Sequence, residues 1–206
     1  MKKLLICLLA LLLAAPAVLA EFDTAALREM ENTTTFTHPG TVNTVTRLMN
    51  QPYLAQVDPP FDGELSVFVD FITLPDHDVT LLRLLAGTLT YAPLAADEMR
   101  LTVGGKHYTF TVNYDQSEYD GIYMEDYAVC LTDASLPLLK AIAQQKRDEP
   151  IPVEFLQLGE VIFAAQAIIP GQDAALLYDR FVDLGGKKQE LKRLDSIWPC
   201  KVEKAK

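Results

Sequence analysis

The chain has 206 residues, half of them apolar, with 28 acidic against 18 basic side chains and a net charge of −10. So acidic a body repels phosphate backbones, which argues against nucleic acid as a partner. The length suits one domain, or one domain with a small extension, and the apolar content is enough for a sizeable core.

The first twenty residues place Lys2 and Lys3 before an apolar run from Leu4 to about Ala15, and end on Val18 and Ala20 as small residues ahead of Glu21. That pattern is the build of a cleavable secretory leader, with cleavage expected after Ala20. The run is shorter than the roughly 20 apolar residues that span a bilayer. Cys7 lacks the small residues that precede a lipid-bearing cysteine, and no second long apolar run follows. The expectation is an extracytoplasmic bacterial protein, periplasmic or secreted, with no transmembrane segment after processing. The processed chain, residues 21–206, keeps 16 basic and 28 acidic residues, a net −12. The final twenty residues, 187–206, carry seven basic and three acidic residues, so a basic tail follows a strongly acidic body.

Residues 21–62 read as a lead-in: a short helical pattern at 24–30, a Thr-rich piece, then a proline-rich stretch. Pro59, Pro60 and Gly63 mark the expected boundary of an α+β domain over 63–186. From Glu64 the period becomes two, with Leu65, Val67, Val69 and Phe71 on one face of a strand. The run from Asp78 to Pro93 is ambiguous between helix and strand up to about residue 86 and strand thereafter. Leu101 and Val103 on one side of Gly104-Gly105, and Tyr108, Phe110 and Val112 on the other, predict a tight hairpin. A strand follows at 122–131. Asp133 or Ser135 is expected to cap a helix through about Gln145, two strands to flank Leu158-Gly159, and Asp173 to cap a helix that Gly185 ends. Neighbouring strands with tight turns and two helices in the C-terminal half predict a predominantly antiparallel sheet, sandwich or half-barrel like. Residues 187–206 are expected to be a short helix or loose, with Trp198 docking them.

The densest chemistry lies at 114–127, "YDQSEYDGIYMEDY", with four tyrosines and five carboxylates. Asp115, Glu118 and Asp120 are hard oxygen ligands of the kind calcium prefers, although the spacing fails the EF-hand template, where Gln116 and Tyr127 would stand at carboxylate positions. Tyr114, Tyr119 and Asp120 are candidates for contact with a sugar or peptide, because an exposed ring stacks while a carboxylate accepts hydrogen bonds. The opposing reading is the solvated end of a hairpin. Asp76, His77 and Asp78 hold acid-base and zinc-ligand side chains, but adjacent residues point apart and the stretch has ordinary turn chemistry. Cys130 and Cys200 survive processing and are a candidate disulfide in an oxidising compartment.

No nucleophile elbow, phosphate loop, zinc-protease helix, Cys-x-x-Cys pair or dinucleotide fingerprint is present. The expected function is a non-enzymatic binding or scaffolding domain at the cell envelope, with a glycan or protein partner and no cofactor other than calcium. The alternative is a small secreted hydrolase of glycan or peptide working through dispersed Asp, Glu and His residues.

Overall fold

The computed structural model describes residues 21–48, 52–145 and 147–205. The expected leader, residues 1–20, lies outside them. In chain order the strands are β1 (Thr33–Thr37), β2 (Thr44–Leu48), β3 (Tyr53–Val57), β4 (Glu64–Leu74), β5 (Val79–Thr90), β6 (Glu98–Val103), β7 (Lys106–Thr111), β8 (Asn113–Tyr119), β9 (Ile122–Leu131), β10 (Ile151–Gln157), β11 (Glu160–Ala167) and β12 (Cys200–Lys204). Helix α1 (Thr24–Arg28) precedes β1, α2 (Pro137–Ala143) follows β9 and α3 (Gly171–Asp183) follows β11. Every strand pairing is antiparallel. The sheet is open and runs β12-β7-β6-β10-β11-β3-β4-β5-β9-β8, with β2 sharing the β4 edge with β3 and β1 pairing with β2.

Three hairpins turn in two residues, at Gly104-Gly105, Asp120-Gly121 and Leu158-Gly159, and both residues of each turn have positive φ. That backbone twist matches the twist of the flanking strands, which is why glycine recurs at the second position. The stretch 79–90, ambiguous in sequence, is strand throughout. Its apolar run is continuous because both faces are covered: Leu82 and Leu84 face one side, Leu81 and Arg83 the other, and all four are buried.

Two expected caps differ in the structure. Ser135 Oγ accepts from the Thr132 backbone N–H one turn before α2, which begins at Pro137 without a side-chain cap. Asp173 lies inside the first turn of α3, after Pro170, and accepts a hydrogen bond from Tyr53 at 3.2 Å. In each case proline fixes φ and sets the helix start.

The expected lead-in is part of the sheet: β3 lies between β11 and β4, and Phe22 packs against Phe71 and Phe181 with ring centroids 6.3 and 5.9 Å away. Pro59, Pro60 and Gly63 mark a loop between paired strands. The expected tail is likewise integral. Leu191 and Leu194 are buried, Trp198 packs against the core, and β12 adds to β7.

One contact reports how far the sheet bends. Tyr127 on β9 and Phe155 on β10 stand five strand steps apart, about 24 Å across a flat sheet, yet their rings are 4.7 Å apart. The open sheet is therefore bent enough for β9 and β10 to touch. Glu125 sits beside this contact. It is fully buried on the same face as Tyr127 and accepts from the backbone N–H groups of Leu94 and Ala95 at 3.0 and 3.2 Å and from the Tyr127 hydroxyl at 2.8 Å. Tyr127 in turn accepts from the Ala96 N–H.

Glu125→Ala strands those donors inside the core, where an unmet hydrogen bond costs about 1–3 kcal/mol. We expect a fall in unfolding free energy of roughly 3 kcal/mol by urea titration, against less than about 0.5 kcal/mol for Glu118→Ala on the exposed strand. Equal losses at the two positions would contradict the assigned role of Glu125.

Candidate functional site

The stretch 114–127 forms the β8–β9 hairpin. Its tip is a plain two-residue turn at Asp120-Gly121, and all seven residues of β8 are exposed. Strand alternation divides its side chains between two faces. Tyr114 falls on the core side, where its ring lies 5.4 Å from that of Tyr127. Asp115, Ser117 and Tyr119 fall on the outer side, opposite Asp126, Met124 and Ile122 in the register. The expected calcium ligands therefore separate: Asp115 is on the outer face, Glu118 on the opposite one and Asp120 in the turn. Among the described residues no group of three His, Cys, Asp or Glu side chains is close enough to hold a metal ion. The expected sugar contacts also divide, with Tyr119 77% exposed and Tyr114 stacked at the rim of the core.

What the hairpin builds lies on the outer face of β9, β5 and β4. A cleft of about 320 Å³ is lined by Phe36, Arg47, Arg83, Asp115 and Asp126, and a second of about 380 Å³ by Ser66, Gly87, Asp115, Met124 and Asp126. Asp115 and Asp126 stand in both, so the two clefts are one groove divided by a pair of carboxylates. The floor is charged and largely buried. Asp70, with no exposed surface, accepts two hydrogen bonds of 2.8 Å from Arg83 and further bonds of 3.0 and 3.3 Å from Arg47. The Arg47 guanidinium lies 3.9 Å from the Phe68 ring centroid and 5.6 Å from that of Phe36. Two guanidinium groups around one buried carboxylate leave an excess positive charge, and the forked geometry fixes both arginines. Asp126 supplies negative charge beside them.

Asp126 is held above its ordinary value of 3.8, first by partial burial and then by the charge of Asp115, while Arg83, His38 and Arg47 oppose the rise. Gly87 makes the position possible. A side chain there would meet the Asp126 carboxylate at 3.0 Å and Ser66 Oγ at 3.2 Å. Beyond the carboxylates, Leu89, Tyr119, Ile122 and Met124 form an exposed apolar patch on this face, joined by the registers Leu89–Met124 and Tyr119–Ile122. Exposed apolar patches rimmed by polar residues mark interaction surfaces.

Asp76, His77 and Asp78 are all exposed in the β4–β5 turn, and Asp78 closes it with a φ of 49°. The His77 ring meets Trp198 edge-on at 6.2 Å, and its carbonyl accepts from Arg193. This places His77 as a docking point for the C-terminal segment, and no bond joins it to a carboxylate among the described residues.

The expected Cys130–Cys200 disulfide is not formed; both thiols are free. Cys130 pairs in register with Arg83 and so faces the outer side, whereas Cys200 pairs with Phe110 on the core side. Thiols on opposite faces of different strands cannot meet the geometry of a disulfide.

Sequence reasoning anticipated the hairpin and missed the groove. Arg47, Asp70, Arg83 and Asp126 come from four strands, and the local sign was a single charge inside each of the apolar runs of β4 and β5, at Asp70 and Arg83.

Two measurements follow. Burial pushes both thiols up to about 12, so alkylation should be slow on the native chain and should add two groups after denaturation, read by intact mass. A carboxyl held above its ordinary value lowers stability while ionised; the penalty is present above the folded-state value and disappears as the pH falls below 3.8. Asp126→Asn is therefore expected to stabilise the fold at neutral pH, with the gain gone by about pH 3 in paired urea titrations. No protein family, curated protein or solved structure matches this chain.

Proposed function

We propose that the protein is a non-enzymatic binding module of the bacterial cell envelope that docks an extended, basic segment of a partner protein along β8. The carrying observation is the placement of β8 at the free end of the sheet, exposed at all seven positions, beside the apolar patch of Leu89, Tyr119, Ile122 and Met124. A strand edge offers backbone donors and acceptors to an added strand, and alternate side chains supply selectivity. Asp115, Asp126, Glu118 and Asp120 give the site its negative charge, which favours lysine or arginine in the added strand. The fixed Arg47–Asp70–Arg83 floor is consistent with a preformed surface.

Export is supported by the leader pattern of residues 1–20 and by Phe22, which is buried in the core two residues past the expected cleavage point. A half-barrel or sandwich-like closure of the sheet is supported by the Tyr127–Phe155 contact. No helix among the described residues is long and apolar enough to cross a membrane.

A second reading rests on the pairing of Asp115 with Asp126, opposite one another in the register, with Asp126 held protonated to higher pH. Two carboxyl groups facing one another, one of them raised, are the side chains that glycoside hydrolysis uses. This replaces Asp76, His77 and Asp78 as the acid-base candidates of a secreted hydrolase.

Fluorescence anisotropy with a labelled octapeptide of alternating lysine and valine tests the first reading. Saturable binding that weakens roughly tenfold in Tyr119→Ala and in Asp115→Asn, a loss typical of one good contact, would support it. Absence of binding, or binding indifferent to both variants, would overturn it. Turnover of aryl glycosides that vanishes in Asp126→Asn would instead put the hydrolase first. The export proposal predicts that chain recovered from outside the cytoplasm begins at Glu21 by N-terminal sequencing.

A further inference from the structure

Both ends of the strand order are free edges. β8 pairs only with β9 and β12 only with β7, so each presents a row of backbone N–H and C=O groups that nothing meets among the described residues. All seven residues of β8 and four of the five in β12 are exposed. Free edges are commonly guarded by charge, and here the two edges carry opposite signs. No basic residue occurs between Asn113 and Leu131, while Asp115, Glu118, Asp120 and Asp126 are acidic. At the other end, β7 and β12 carry Lys106, Lys201 and Lys204 against Glu203. Lys201 pairs with Glu203 at 3.1 Å, but both side chains are more than half exposed, where an ion pair contributes little.

These signs select one pairing between copies. β8 against β8 sets carboxylates together and β12 against β12 sets lysines together, whereas β8 against β12 joins unlike charges. The strand β1, which pairs only with β2, carries no charged residue and offers no such match. Strand direction agrees with the charges. The path from β12 to β8 has ten strands, each antiparallel to its neighbours, so its two ends run in opposite directions. A second copy that continues the sheet with the same face outward therefore lays its β12 antiparallel to β8. Alternation then puts Asp115 and Lys201 on the outer face, and Glu118 and Lys204 on the other with Tyr114 and Val202.

We propose that the extended basic segment docked by β8 is β12 of a second copy of this chain, so that copies join head to tail through one continued sheet. This rests on the reading of β8 as a docking edge and names its partner. A contact between two different surfaces leaves one edge free at each end, so the assembly grows as a chain or closes as a ring.

Sedimentation velocity of the processed chain, residues 21–206, over a range of concentrations is the test, with two doubly substituted chains beside it. Asp115→Lys with Glu118→Lys gives a chain with two basic edges, and Lys201→Glu with Lys204→Glu gives one with two acidic edges. The native chain is expected to gain average mass as its concentration rises, and to lose that gain in high salt. Each variant alone should associate roughly tenfold more weakly or worse, since like charges then face one another. An equimolar mixture of the two should recover the native association, because every edge again meets its opposite. A native chain that stays monomeric throughout would overturn the inference; the lysine–valine octapeptide then decides the docking reading separately, which stands if the peptide binds β8 and falls with this one if it does not. Association kept by the Lys201→Glu, Lys204→Glu chain alone would mean that β8 pairs with β8, and a mixture that fails to recover would mean that the edges do not meet; either result overturns the head-to-tail contact. Thermal melts of each variant show that the fold is retained.

Discussion

The molecule depends on bringing two distant parts of one open sheet together. Among the described residues three helices, of five, seven and thirteen residues, are too short to cover one face of a twelve-stranded sheet. The Tyr127 ring against Phe155 is where β9 and β10, far apart in the strand order, meet. Aromatic pairs add to ordinary burial through their ring geometry. Glu125 gives the same meeting a polar anchor, since its carboxylate takes two backbone N–H groups of the loop between β5 and β6 and so fixes how the second half of the sheet leaves the first. A buried carboxylate is tolerated there because each oxygen has a donor.

The two faces of β4, β5 and β9 carry different side chains. The inner face is apolar, from Leu65, Val67, Val69 and Phe71 through Leu82 and Leu84 to Val129 and Leu131. The outer face carries Asp70, Arg83 and Asp126 in the same strands. Buried ion pairs are seldom retained for stability alone, because desolvation offsets most of the attraction. The Arg47–Asp70–Arg83 cluster instead fixes the position of two cations next to an exposed pair of carboxylates, which is the use the proposed groove requires. Lys106 and Lys204 stand opposite one another at the other end of the strand order, where β7 and β12 pair.

How much of this was legible depended on the range of each interaction. The hairpins at Gly104-Gly105 and Leu158-Gly159 could be read because a two-residue turn is set by the residues inside it. The inner face of β4 could be read because alternation is local. The run 78–93 resisted because burial on both faces removes the period that separates strand from helix. The strands in the lead-in and the tail were hard to read for a related reason. Threonine, proline and lysine gave these segments a loop-like composition, while β3 pairs with β11 as well as with β4, and β12 pairs with β7 across ninety residues or more.

By itself the sequence determined the leader pattern, the acidic balance, the tight turns and the alternation that makes an antiparallel sheet, since each follows from composition or from neighbours along the chain. Tertiary structure alone decided that Asp115 and Glu118 part to opposite faces, that Cys130 and Cys200 do not meet, and that Arg47, Asp70, Arg83 and Asp126 do. Strand register and sheet curvature set those encounters. They arise from burying a whole face at once, a condition that no short stretch of residues carries.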